Sequence, residues 1–255
     1  MTLTPRGVAV LLVAAVAGLG AFVWPLLVRP DASFTPGSQT PLILAGLLVL
    51  LLVVVGVELT SSGLDVRALA VLGVLAAIGA AVRPLGTGTA GIELVFFLVI
   101  LGGRVFGAGF GFTLGSVTLF TSALLTGGVG PWLPHQMIAA GFVGLGAGLL
   151  PRASGRWELA VLASYGAVSA FAYGWLMDFA FWPFALGVYG ELSWRPGAGA
   201  LENLHTFVLY NLATSMGWNA GRALTNIVVV VLLGPGVLLV LRRAARRAVF
   251  VAPRH

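Results

Sequence analysis

Uncharged apolar runs of bilayer length recur along this chain and restrict what it can fold into. Residues 7–28 hold no charged side chain. At ~1.5 Å per helical residue they reach across the ~30 Å hydrocarbon core of a bilayer. Arg6 precedes the run, no small-x-small cleavage site follows it, and Phe22-Val23-Trp24-Pro25 has an interfacial character. The run therefore reads as a retained helix and not as a removed signal. Composition agrees: 59% of the 255 residues are hydrophobic and 9% charged, with mean hydropathy +1.04. No soluble domain has that balance. Further spans are expected at 41–59, 66–82, 92–101 carried on through Arg104, 106–126, 134–150 and 157–177, with a last one inside 204–241. The span at 92–101 is short and crosses only if tilted or shielded. Segment 204–241 exceeds one bilayer thickness, so an outer piece bent onto a spanning piece is expected, with the break near Gly217–Gly221. The fold class is all-α, a polytopic membrane protein of about eight transmembrane helices.

All 14 basic residues are arginine. With the N-terminus inside, ten of them fall on the inner side, including Arg104, Arg152, Arg156, Arg242 and Arg246. Three, Arg29, Arg83 and Arg195, fall outside. That is the positive-inside bias, and it places both termini in the cytoplasm. The alanine-, valine-, leucine-, glycine- and arginine-heavy usage fits a GC-rich bacterial genome, hence the inner membrane of a bacterial cell. The net charge of +6 is thereby explained by the membrane face and does not point to nucleic acid. Trp24, Trp132, Trp175, Trp182 and Trp194 then lie near the outer boundary, a one-sided aromatic cluster that suits a small-molecule pocket.

Glycines mark where helices approach. Gly107, Gly111 and Gly115 recur every fourth residue, as do Ala140, Gly144 and Gly148, and Gly73, Ala77 and Ala81, with Ala76 and Ala80 beside the last set. Such ridges let helix backbones pack closely in lipid. The loop between the first two ridges carries Trp132 and leads into His135 and Gln136, polar groups at a membrane boundary. The strongest chemical pattern is later: Asn211, Ser215, Asn219, Arg222 and Asn226, spaced four, four, three and four. On one continuous helix they share an arc of ~80°. An arginine inside a span needs a partner, for which Glu93 and Asp178 are the candidates, and the outer half of the stripe is expected to meet a polar solute.

Several chemistries find no support in the sequence. There is no cysteine, hence no disulfide, thiolate metal site or cysteine nucleophile. No Walker loop and no HExxH pair occur, and His135, His205 and His255 are far apart. None of Ser116, Ser122, Ser164 and Ser169 sits in a GxSxG elbow. An intramembrane hydrolase built on Ser215 and His205 would need a constellation that the sequence does not display.

From about residue 65 onward the chain resembles a substrate-binding S component of an energy-coupling factor (ECF) transporter. The segment DVRALAVLGVLAAIGAAVR is similar to that family's first helix. The block GRVFGAGFGFTLGSVTLFTSALLTGGVGPWLPHQMIAAGFVGLGAGLLP is similar to its glycine-rich third and fourth helices. The resemblance implies a six-helix unit at 65–255, preceded by a two-helix extension at 1–64 that the family lacks. It implies capture of a vitamin or related micronutrient from outside, with no cofactor bound directly. It also implies a T component and two ATPase subunits as partners, which use ATP. The face bearing Gly73, Ala77 and Ala81, or Ala76 and Ala80, would meet the T component. The pocket would lie under the loops at 84–91, 127–134 and 179–203. Its walls would be Trp132, Trp175, Trp182 and Trp218, and its polar contacts His135, Gln136, Asn211 and Asn219, with Glu93, Asp178 and Arg222 as charged groups. The rival reading is a self-sufficient secondary transporter, which normally carries an internal repeat and a mid-membrane acid. Neither is clear here.

Overall fold

The computed structural model describes residues 5–27, 66–86, 89–185 and 189–249, and the helical positions Gly46, Val49, Val53 and Gly56. The rest of the expected span at 41–59 lies outside the described residues. Besides those helical positions at 46–56, eight α-helices are described: α1 Pro5–Leu27, α2 Val66–Val82, α3 Val95–Phe106, α4 Ala108–Thr126, α5 Leu133–Leu149, α6 Gly155–Phe181, α7 Ala200–Thr214 and α8 Met216–Val249. Short 3-10 turns lie at Arg83–Gly86, Trp182–Phe184 and Gly190–Leu192, and no strand occurs among the described residues. Helices α1, α2, α4, α6 and α8 are each long and apolar enough to cross a membrane. The chain is a multi-pass helical membrane protein. The hydrophobic effect gains nothing between helices in lipid, so the bundle is held by close packing and internal polar bonds.

The glycine ridges work as the spacing suggests. Gly111 and Gly115 of α4 lie against Gly144 and Ala140 of α5. A Cβ on Gly111 would stand 2.2 Å from the Gly144 carbonyl oxygen, and one on Gly115 2.2 Å from that of Ala140. Gly107 continues that ridge against Gly148, whose Cβ would stand 2.6 Å from the Gly107 carbonyl carbon. Gly107 has φ 100° and forms the joint at which α3 ends and α4 begins. The chain reverses there within one residue, a conformation open to glycine and costly for others. Gly103 of α3 joins the same approach, with a Cβ position 2.2 Å from the Gly144 carbonyl. Helix α3 has 12 residues, ~18 Å, too short to cross a bilayer core unaided. It is enclosed instead: Val95, Phe96, Val99, Ile100 and Leu101 are all essentially inaccessible, with α4, α5 and α8 around them.

Helix α1 is built into the bundle. Phe22 is fully buried in the main core and meets the His135 ring edge-on at 5.2 Å. Gly18 leaves room for Ile138 and Phe142 of α5. Pro25 has no N–H to give to the Ala21 carbonyl, four residues earlier. The His135 ring lies beside that carbonyl. Trp194 donates from Nε1 to the Pro25 carbonyl at 3.2 Å. Trp194 and the His135 ring thus hold the end of α1 against the bundle.

The last segment is interrupted, two residues before the expected break. Helix α7 ends at Thr214 and α8 starts at Met216, with Ser215 at φ −120°, ψ −13° between them. The polar stripe is therefore not on one regular helix. The ladder nevertheless bridges the joint, from Ser215 N to Asn211 O and from Asn219 N to Ser215 O, both 2.9 Å.

Candidate functional site

The site is assembled where the turn after α2 folds onto the first turns of α8. Gly91 (φ 84°) and Gly221 make this approach possible. A Cβ on Gly91 would lie 2.1 Å from the Trp218 carbonyl oxygen, and one on Gly221 1.8 Å from that of Ala90. Ala90 is itself held at φ 43°. The fold of this turn brings Glu93 against Arg222, and Arg222 Nη2 donates to Glu93 Oε1 at 2.8 Å. Arg222 Nη1 donates to Asn219 Oδ1 at 2.9 Å and to the Ala170 carbonyl at 3.3 Å. The guanidinium also lies 5.1 Å from the centroid of Tyr173 and 5.9 Å from that of Phe96. A cation over aromatic faces in a dry site gains from the ring quadrupole. The charge is thus answered by Glu93, not by Asp178.

Helix α6 is shaped to receive this stripe. A Cβ on Gly174 would sit 1.8 Å from Asn219 Oδ1, and one on Gly166 3.0 Å from Asn226 Cβ. Asn226 donates to the Gly166 carbonyl at 2.9 Å. Gly166, Ala170 and Gly174 are four residues apart, the same small-residue signal as in α4 and α5, and the sequence reading passed over it. Asp178, one turn further on, accepts a short hydrogen bond from Asn211 Nδ2. The stripe therefore forms three units, Glu93–Arg222–Asn219, Asp178–Asn211 and Asn226–Gly166.

Above the first unit lies a cavity of about 420 Å³. Arg83, Glu93, Ser122, Thr126 and the half-exposed Trp218 supply its chemistry, and Pro84, Gly86 and Gly91 its edge. Arg83 donates to Ser122 Oγ and to Gln136 Oε1, both at 3.4 Å. Arg83 and Ser122 were not among the residues that the sequence singled out for the site. Arg83 was counted only as an outer charge, although its place at the end of α2 beside the 84–91 turn was a usable signal.

The expected residues divide accordingly. Glu93 and Trp218 line the cavity, Gln136 meets it through Arg83, and Asn219 and Arg222 support it from beneath. The remaining candidates lie elsewhere. His135 is buried against α1. Trp132 is 40% exposed, and its Nε1 donates to the Gly128 carbonyl of its own loop at 3.2 Å. Trp182 is fully buried, donating to the Leu192 carbonyl at 2.7 Å. Phe207 packs on Trp175, Trp182 and Phe179, stacking on the last at 3.6 Å. Trp24 and Trp194 pack edge-on at 5.6 Å. Trp175, Trp182 and Phe207 pack on one another, and none of them lines the cavity around Arg83. Among the described residues no group of three or more His, Cys, Asp or Glu could hold a metal ion. No protein-family model matches the chain, and no curated protein and no solved structure matches it either.

Proposed function

We propose that the chain is the substrate-binding membrane subunit of an ECF-type importer. In this reading it takes a vitamin or related micronutrient from outside and passes it to a T component driven by two ATPases. The observation that carries the reading is the cavity of about 420 Å³ at the end of the bundle that the arginine count puts outside. It lies within the range of small-molecule sites, which combine apolar walls with few fixed polar groups. One cation, one carboxylate, two hydroxyls and an indole suit a small polar heterocycle with a charged substituent. A corrinoid requires more room than this and would need the turn at 84–91 to move away. Arg222 serves the site by holding Glu93 in place, since its own charge is already matched. The resemblance of the glycine-rich block supports the same reading, as does the register of α2 (its Gly73, Ala77 and Ala81 are exposed, while Ala76 and Ala80 are buried). One small-residue stripe is spent inside the bundle and the other remains for a T component.

The test is binding of a vitamin panel to the purified full chain, followed by tryptophan fluorescence. A binder is expected whose affinity falls about tenfold, ~1.4 kcal/mol, in Arg83→Gln or Trp218→Ala. Uptake in cells should stop when the partner ATPases are inactivated. Uptake that continues without them would identify a self-sufficient transporter, and no binding across the panel would sink the reading.

A further inference from the structure

At the opposite end of the molecule a second hollow, of about 550 Å³, lies between the first turn of α6 and the last turns of α8. Its lining combines Arg156, Arg242 and Arg246 with Leu159, Leu238 and Leu239. Helical spacing orders them. Along α8 the leucines come one turn before Arg242 and two before Arg246, so the groove is apolar at depth and cationic at its rim.

The charges there do not cancel. Glu158 is buried, with 3% side-chain exposure, and accepts from Arg104 Nε at 2.8 Å and from Arg242 Nη2 on both oxygens at 2.6 Å. Arg104 also holds the Leu150 and Pro151 carbonyls, at 3.1 and 2.9 Å. One carboxylate thus answers two arginines. Arg156 and Arg246 are exposed, and no ion pair engages either among the described residues. Trp157, beside Arg156, is 79% exposed, which fits an indole at the level of lipid headgroups.

We propose that this groove binds an anionic phospholipid. Arg156 and Arg246 hold the headgroup phosphate, and an acyl chain lies along Leu159, Leu238 and Leu239. Guanidinium groups pair with phosphate oxygens through forked hydrogen bonds, and a basic hollow between membrane helices is the usual form of a lipid headgroup site. The joined apolar floor selects a lipid over a free anion. This inference rests on the chain being a membrane protein and is independent of what the chain transports.

The test uses the full-length protein in detergent, exchanged into mixed phosphatidylglycerol and phosphatidylcholine, with retained lipid read by native mass spectrometry. Phosphatidylglycerol should be retained preferentially. The double variant Arg156→Gln/Arg246→Gln should retain about twenty-five-fold less, from roughly fivefold per arginine. Leu239→Trp, which fills the floor without touching a charge, should also reduce retention, and Arg195→Gln at the other end should not. Equal retention of both lipids would overturn the proposal, as would a folded double variant that keeps phosphatidylglycerol. Displacement by millimolar inorganic phosphate would reduce the site to one for free anions. Binding of an acidic peptide in place of lipid would make it a protein contact.

Discussion

Arg222 is 7% exposed, and it shows how a single charge organises its surroundings in an apolar bundle. Removing its counter-ion leaves a nearly buried cation. Glu93→Gln is therefore expected to cost about 2 kcal/mol, less than the ~3–5 kcal/mol of a fully buried pair because Glu93 keeps 27% side-chain exposure. Thermal unfolding in detergent measures this, and Arg222→Gln combined with Glu93→Gln should recover part of the loss. Gly174→Ala places a methyl 1.8 Å from Asn219 Oδ1 and should cost about 1–3 kcal/mol. Gly217→Ala, with nothing within 4 Å of its Cβ, should instead stabilise by ~0.4–1 kcal/mol through the unfolded chain. Much of this unit was legible in sequence. A polar residue at every third or fourth place of an apolar run has one face to occupy, and Glu93 was one of two acids that could answer the arginine. His135 sits against α1, edge-on to Phe22, and not in the cavity. A contact with a helix so far away in sequence leaves no mark near residue 135.

Helices carry their own lessons, and α2 is the clearest. Periodicity alone left two registers for its small residues, since Gly73–Ala77–Ala81 and Ala76–Ala80 are both spaced by four. Packing decides between them: Ala76 and Ala80 face inward with Leu72 and Gly79, and a Cβ on Gly79 would stand 2.7 Å from Thr118 Cγ2. Ala76→Leu is expected to overpack the bundle by about 1–3 kcal/mol. Ala77→Leu should leave melting and solute binding unchanged while abolishing co-purification with a T component. A variant at Ala77 that still co-purifies at full yield would remove this face from the proposed assembly. The reversal at Gly107 was harder to foresee than the break at Ser215, which the length of 204–241 places to within two residues. Reversal at one glycine depends on what α3 and α4 gain by pairing, a tertiary quantity absent from local pattern.

For the whole molecule, the absence of cysteine makes topology directly measurable. Val129→Cys, exposed at the pocket end, is expected to react with a membrane-impermeant maleimide in intact cells. Ser154→Cys, at the arginine-rich end, should react only after permeabilisation. The opposite pattern would invert the arginine assignment. The two ion pairs of α8 add a dimension to this. Arg222 and Arg242 stand twenty residues apart, ~30 Å of helix, with no charge between them. Each is fixed through its carboxylate to a different helix, Arg222 to Glu93 before α3 and Arg242 to Glu158 in α6. The separation is thus a rigid gauge of hydrophobic thickness: a bilayer much thinner or thicker than this gauge must deform, or the body must tilt, at a fraction of a kcal/mol per Å. Acyl-chain length alone, with no change in solute or partner, should therefore shift how upright the protein stands.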